Sequence, residues 1–259
     1  MTPTRRLGIS NHPYCSPLIR GLETDRSFEI EIDVTAQNAK KLRERKLHAA
    51  FLSPIDYARD ASEYRVIPEA GIASRQGDTS IALHFRSGIH DVATLAVDPS
   101  SASEIVLAKI ILAEEFDIEP VLAPVSGSLD AMLQKADAAL LSGVRDLAVG
   151  SGQRVMLDLV EAWTELTGLP YVHGVWVGRD RDLDAEHIEV IQKLHRDIDA
   201  IPATSPPSPA AYQLQEEDEE GFREFLRYAF YHGVLPDVPE LHYFGMDTPD
   251  EETDLPSLN

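Results

Sequence analysis

Short apolar runs alternate with helix-patterned stretches along this 259-residue chain, and that alternation limits the fold more than any single motif does. Residues 6–10, 28–34, 49–52, 80–86 and 94–97 read as strands. The run 28–34 is the plainest. Phe28, Ile30, Ile32 and Val34 alternate with Glu29, Glu31 and Asp33, the period of a strand with one wet face. Helices fall between these runs. One covers 18–22, with Pro17 near the first helical position, where proline is tolerated. Another covers 36–45 behind a Thr35 cap and turns basic toward its C-terminal end, as the helix dipole favours. The alternation of strand and helix predicts an α/β fold built on mainly parallel sheet with helices on both sides.

Loops at the carboxyl ends of such strands form the ligand crevice. Asn11, Ser53 and Ser100 each follow an apolar strand and precede a helix, so three polar loops share one topological position. The richest is Val97-Asp98-Pro99-Ser100-Ser101-Ala102-Ser103-Glu104, which runs into an apolar helix over 105–112. A helix start presents unpaired N–H groups and the positive end of its dipole. The hydroxyls of Ser100, Ser101 and Ser103 add donors at the same place, a pattern suited to a carboxylate or phosphate. Serine is also a favoured cap, so the same residues serve a helix that holds no ligand.

The pattern continues in the second half. Strands are predicted at 64–67, 70–74, 120–123, 136–141 and 171–177. Helices are predicted at 128–135 (capped by Ser126 or Ser128), 157–166, 184–201 and 216–233. In the last of these Phe222, Phe225, Leu226 and Ala229 recur at helical spacing and read as core.

A formal net charge of −21 repels nucleic acid and anionic lipid, so neither is an expected partner. The acidic runs 215–220 and 247–254 read as solvated surface. The only cysteine is Cys15, which excludes an internal disulfide. A Cys15 nucleophile partnered by His12 is one reading, against the commoner one of a structural thiol. No secretory leader and no membrane-length apolar run are read from the residues, and a cytoplasmic location is expected. Neither a glycine-rich nucleotide loop, nor a G-x-S-x-G elbow, nor a zinc-type histidine pair occurs, so neither cofactor nor metal is expected. Any small anionic substrate must be held by local donors against the global field of this acidic chain, and a monomer or homodimer is the expected state.

An ordered set of blocks carries a resemblance. It comprises Asn11 with Ser16-Pro17-Leu18-Ile19 and Gly21-Leu22; Ala50-Phe51-Leu52-Ser53-Pro54-Ile55-Asp56-Tyr57; Gly71-Ile72-Ala73-Ser74; Ser80-Ile81-Ala82-Leu83; Asp98 to Ser103; Asp137 to Gly143; and Trp163, Thr167-Gly168-Leu169-Pro170-Tyr171-Val172 and Trp176. In order and spacing, over about residues 6 to 180, the chain resembles the chorismate dehydratases of the futalosine route to menaquinone. The resemblance implies the two-lobe fold of type II periplasmic binding proteins, with one lobe from residues 1–90 plus 176–259, the other from 91–175, and the ligand between them. It implies a metal-independent carbon–oxygen lyase that converts chorismate to 3-[(1-carboxyvinyl)oxy]benzoate. A sister enzyme of the same pathway, or a binding protein for a small carboxylate without turnover, would share the fold.

Some positions depart from that pattern. The dehydratases usually read Asn-Tyr-Leu-Asn-Thr where this chain has Asn11-His12-Pro13-Tyr14-Cys15, and Ser-Arg-Thr-Ser where it has Ser101-Ala102-Ser103-Glu104. They usually carry Ile-Gly-Asp at Ser142-Gly143-Val144, and an aromatic residue at His173. Ala102 thus removes an arginine, and Glu104 adds a negative charge beside the same helix start. Arg145 stands one position beyond the lost acid.

Roles follow from what a dehydration needs, namely two anchored carboxylates, a proton acceptor and help for the leaving hydroxyl. Ser100, Ser101 and Ser103 are expected to bind one carboxylate, Ser53 and Ser80 the other or the ring hydroxyl, with Gly143 beside them. Asn11 is expected to orient the substrate and Tyr171 to pack on the ring edge. For the base, His173 and His12 titrate in the right range, and the substrate's own enolpyruvyl carboxylate is a third candidate.

Overall fold

The computed structural model describes residues 4–77, 79–143, 155–200 and 210–245. The chain begins β1 (Arg5–Ser10), α1 (Ser16–Leu22), β2 (Phe28–Asp33), α2 (Thr35–Arg43), β3 (Ala49–Leu52), α3 (Pro54–Ala58) and β4 (Arg65–Ser74). Next come β5 (Ile81–Phe85), β6 (Thr94–Val97), α4 (Ala102–Phe116), β7 (Val121–Pro124), α5 (Leu129–Leu133), β8 (Ala138–Ser142) and β9 (Met156–Asp158). Then follow α6 (Leu159–Thr167), β10 (Tyr171–Gly178), α7 (Ala185–Asp199), β11 (Ala210–Gln213) and α8 (Glu216–Tyr231).

These strands form two sheets. The first has the order β11-β4-β10-β3-β1-β2 and the second β7-β6-β8-β5-β9. β1 pairs parallel with β2 and β3, whereas β10 runs against β3 and β4, and β11 against β4. In the second sheet β6 is parallel to β7 and β8, and β5 alone runs against its neighbours β8 and β9. In direction β1–β4 of the first sheet agree and β10 and β11 are reversed, while in the second sheet β5 alone is reversed; β5 and β10 are the strands by which the chain enters each sheet after a passage.

Strand membership differs from the sequence reading at both passages. Ile81–Phe85 precedes the expected crossing near Gly88 yet pairs wholly within the second sheet. Tyr171–Gly178 spans the expected return near Gly174 yet lies wholly in the first. β5 is fully buried and β10 is buried except at His173, and an apolar run carries no mark of which sheet it joins. The runs 64–67 and 70–74 are one strand, β4, interrupted to the eye by Pro68 and by Glu69, whose φ is +61°. Thr35 is the first residue of α2 rather than its cap; Val34 occupies that position and makes no side-chain bond.

α4 joins the two halves. Val106, Leu107, Ala108, Ile110, Ile111 and Leu112 are buried over a broad face, and only Glu114 and Glu115 near its end are exposed. It packs on α3 and α8 beneath the first sheet and on α6 and β8 of the second. One apolar cluster consequently runs from Ala50 and Leu52 through Leu107 and Ile111 to Leu83 and Leu140. Each Leu or Ile so buried contributes about 1.5–3 kcal/mol relative to exposure. The aromatic positions read as core in α8, Phe222 and Phe225, are buried in this cluster with Trp163 and Tyr171.

Candidate functional site

The polar centre of the molecule is assembled by β4, β10, α3, α4 and the loop after β1. β10 pairs with β4 in a register that shifts between Val172 and Gly174, which leaves His173 in a bulge. A bulge adds one unpaired residue and re-aims its side chain. Gly174 is what allows the strand to continue: a Cβ there would lie 2.5 Å from the Phe51 ring and 2.7 Å from the Leu52 carbonyl. The half-buried His173 Nε2 lies 2.8 Å from Ser74 Oγ, at the end of β4. Tyr171 and Tyr14 meet its ring edge-on, with centroids 5.1 and 5.2 Å away, and His12 stacks against it at 6.2 Å. Tyr14 N–H donates to His12 Nδ1 at 3.3 Å, and His12 N–H donates to Ser10 Oγ, which fixes the imidazole of that loop.

Glu104 approaches this centre from the first turn of α4. Its half-buried carboxyl accepts from its own backbone N–H and feels both His173 and Asp56. Burial pushes the Glu104 carboxyl upward, its own amide and His173 pull it back, and Asp56 adds to the rise. Ser103, 1% exposed, accepts from Ile55 N–H at 2.9 Å and so ties the start of α4 to the start of α3. Ser53 Oγ donates to Asp56 Oδ2 at 2.9 Å, and Arg59 pairs with the other oxygen of that carboxylate at 3.2 Å.

The structure therefore places the sequence-predicted residues unequally. His173 lies at the centre, and buried Tyr171 backs it, packed on Trp163 and Phe225 as well. Gly143, at φ +92°, donates its N–H to the Ser80 carbonyl at 2.8 Å; a Cβ on it would lie 3.5 Å from Pro13 and 3.9 Å from His12. Ser80 and Gly143 of the second sheet thus face the His12 loop of the first. Ser53 and Ser103 are buried in internal hydrogen bonds. Ser100 is bonded through N–H and Oγ to Asp98 Oδ1, at 2.9 and 2.7 Å. Ser101 stands at the cap position of α4 without a side-chain capping bond. Asn11 is exposed, and its N–H donates to the Asp33 carbonyl. Val144 and Arg145 lie outside the described residues.

Cys15 is not a nucleophile. It is 1% exposed, and burial pushes its thiol up to about 12, a rise that hydrogen bonding to Ser10 only partly offsets. Sequence reasoning took Glu104 only as a negative charge beside the start of α4; that His173 and Asp56 both act on its carboxyl is not legible locally. A separate surface hollow lined by Arg86, Ser87, Gly88, Asp91 and Asp137 is spanned by the Arg86–Asp137 ion pair and holds none of these groups. Among the described residues no three His, Cys, Asp or Glu side chains cluster as a metal site, and no helix is long and apolar enough to cross a membrane.

Known proteins share this architecture. A protein from Archaeoglobus fulgidus superposes with a TM-score of 0.66 at 18% identity, over 90% of this chain and 98% of that one. An ABC transporter structure from Parabacteroides distasonis superposes at 0.65 with 15% identity, over 96% and 100%. The alkanesulfonate-binding protein of Xanthomonas axonopodis pv. citri, bound to MOPS, gives 0.51 and 13%, over 91% and 95%. These likenesses establish the two-lobe fold of type II periplasmic binding proteins. At the level of sequence, the family model described as menaquinone biosynthesis matches residues 5–201. On a match of that extent, the chain belongs to the menaquinone biosynthesis family.

Proposed function

We propose that this protein is a hydro-lyase acting in the cytoplasm on chorismate, which it converts to 3-[(1-carboxyvinyl)oxy]benzoate and water. The observation that carries the reading is the bulged, half-buried His173, oriented by Ser74 and enclosed by the rings of Tyr14, Tyr171 and His12. An imidazole held in that way is suited to take a proton from carbon in a site lined by ring faces and edges. The C3–H bond breaks toward His173, its electron pair forms the new ring double bond, and the C4 hydroxide departs, taking the proton back from the imidazolium to leave as water. Aromatisation supplies the driving force, and neither oxidant nor reductant is consumed.

The ligand would lie between a lobe formed by β1–β4, β10 and β11 and a lobe formed by β5–β9, where Gly143 faces His12. Ser101 and the first amides of α4 would receive one carboxylate, and Asn11, at the rim beside His12, would orient the substrate. Incubation of the protein with chorismate, followed by chromatography for the product, tests the reading. Absence of product from folded protein at high enzyme concentration sinks it.

A second reading is binding of a small carboxylate without turnover. It is favoured by the fold shared with the alkanesulfonate-binding protein and by Glu104, whose carboxyl takes up an amide of the helix start. Saturable binding of chorismate in calorimetry with no product would select it.

A further inference from the structure

Chorismate brings two carboxylates, and the start of α4 accounts for one of them. Ser53, expected to help hold the other, is buried in a hydrogen bond to Asp56. We infer that His12 is the specificity-determining residue for the second carboxylate, which it holds through a fixed Nε2–H donor at the seam between the two lobes. The inference rests on the dehydratase reading above and deepens it.

Local sequence sets the orientation of the ring. His12 precedes Pro13, which disfavours helical backbone at that position, and it is extended at φ −60° and ψ 140°. There it caps a short 3-10 turn, Pro13–Cys15, between β1 and α1. Its N–H donates to Ser10 Oγ at 3.1 Å, and its Nδ1 accepts from Tyr14 N–H at 3.3 Å. A backbone amide only donates, so Nδ1 is the bare nitrogen and the neutral ring carries its proton on Nε2. The same bond occupies the lone pair that a base would use, which leaves proton abstraction to His173. Two neighbouring rings hold the imidazole plane, Tyr14 with centroids 5.1 Å away and His173 at 6.2 Å with planes 24° apart.

Nε2 is turned toward the other lobe. A Cβ on Gly143, the residue after β8, would lie 3.9 Å from it. Gly143 is itself fixed, at φ +92° with its N–H on the Ser80 carbonyl at 2.8 Å, and its missing side chain keeps the approach to Nε2 open. An N–H aimed across the seam selects a ligand group that supplies lone pairs, as a carboxylate does. With the two imidazole centroids 6.2 Å apart, a carboxylate on His12 leaves the ring that bears it within reach of His173.

Two variants separate the two nitrogens. His12→Gln carries an amide N–H as many bonds from Cα as Nε2 is, and lacks an acceptor at the Nδ1 position. His12→Asn does the reverse, keeping an acceptor for Tyr14 N–H with no donor at the Nε2 position. His12 is only half-buried, so both variants leave the core intact. With chorismate as substrate, His12→Asn should raise KM by about 10-fold or more with kcat within about threefold, and His12→Gln should recover most of that loss. The opposite order, with Asn silent and Gln impaired, assigns His12 to the turn alone and overturns the inference. A fall in kcat at unchanged KM in both variants makes His12 the base and also overturns it. Each of those results leaves the dehydratase reading intact. A wild-type protein that yields no product removes the dehydratase reading instead, and calorimetric titration with chorismate then reads the same order in Kd. Weaker binding by His12→Asn than by wild type and His12→Gln supports the inference. Equal Kd values, or no binding by any of the three, overturn it.

Discussion

Two histidines are held against β10, and their surroundings assign them opposite work. His195, from α7, is fully buried. Its Nε2 accepts from Trp176 Nε1–H at 3.0 Å, and since an indole only donates, the ring proton sits on Nδ1. That Nδ1 lies 2.7 Å from the Tyr212 carbonyl and 3.1 Å from the Gly71 carbonyl. Burial drives the His195 pKa down to about 4, against the pull of the two carbonyls, so the ring remains neutral and joins β10, β4, β11 and α7. His173 sits in the bulge of the same strand, half-buried, with one hydroxyl partner and a carboxyl group within electrostatic reach. Saturated hydrogen bonding in full burial makes a structural knot, and a partly open ring with a titratable neighbour makes a chemical group. Residue type alone separates the two not at all.

Exchange of the two residues for alanine should pull this contrast furthest. His195→Ala removes a buried ring and orphans Trp176 Nε1–H along with two carbonyl contacts, and should cost about 3–5 kcal/mol in urea unfolding. His173→Ala should cost less than about 1 kcal/mol. Equal losses in the two variants would erase the distinction.

Acidity gives the next largest effect. Unfolded chains protonate histidine near 6.5, whereas native His195 resists protonation until about pH 4. The unfolded state therefore binds more protons between those values, and stability should decline as pH falls from 6.5 to 4 and stay flat, for this group, above that window. The loss amounts to about 3 kcal/mol. Urea midpoints measured across the window should show a shallower slope in His195→Gln, and an unchanged slope would assign the acid sensitivity elsewhere.

On the chemical side, His173→Ala should reduce turnover of chorismate by about 100-fold or more, with circular dichroism unaltered. Turnover within about threefold of wild type would move the base to His12 or to the substrate. Smaller still is the effect of Ser103→Ala. Its hydroxyl serves the Ile55 amide, so the variant should lose about 1–2 kcal/mol of stability. A large fall in turnover at unchanged stability would return Ser103 to the substrate.

Much of the fold was legible because its elements are locally encoded. The alternation of Phe28–Asp33, the unbroken apolar β3 and the long apolar α4 each announce themselves within a dozen residues. Elements whose identity depends on distant partners were not. β9 is three residues long, and Asp158 at its end caps α6 by accepting from Val160 and Glu161, so the strand reads as the front of a helix. β11 follows a proline- and serine-rich run and pairs with the distant β4.

The site divided in the same way. Hydroxyl-rich turns are visible in sequence, but whether a hydroxyl faces a ligand or the protein is settled by packing. Ser53, Ser100 and Ser103 turn inward to Asp56, Asp98 and Ile55. The His173–Ser74 contact spans 99 positions and depends on a bulge that no local pattern encodes.

The second sheet is an insertion in the chain of the first, and this has a consequence for the order of assembly during synthesis. Strands β5 to β9 are contiguous, so that sheet can close as soon as residue 158 has left the ribosome. β4 emerges earlier yet has no central partner until β10 follows, and at translation rates of about 5–20 residues per second its edge stands open for roughly 5–20 s. The same wait separates Ser74 from His173. The chemical centre thus forms only after the second sheet can close, and protein without β10 would expose the apolar edge of β4 to chaperones or to other nascent chains.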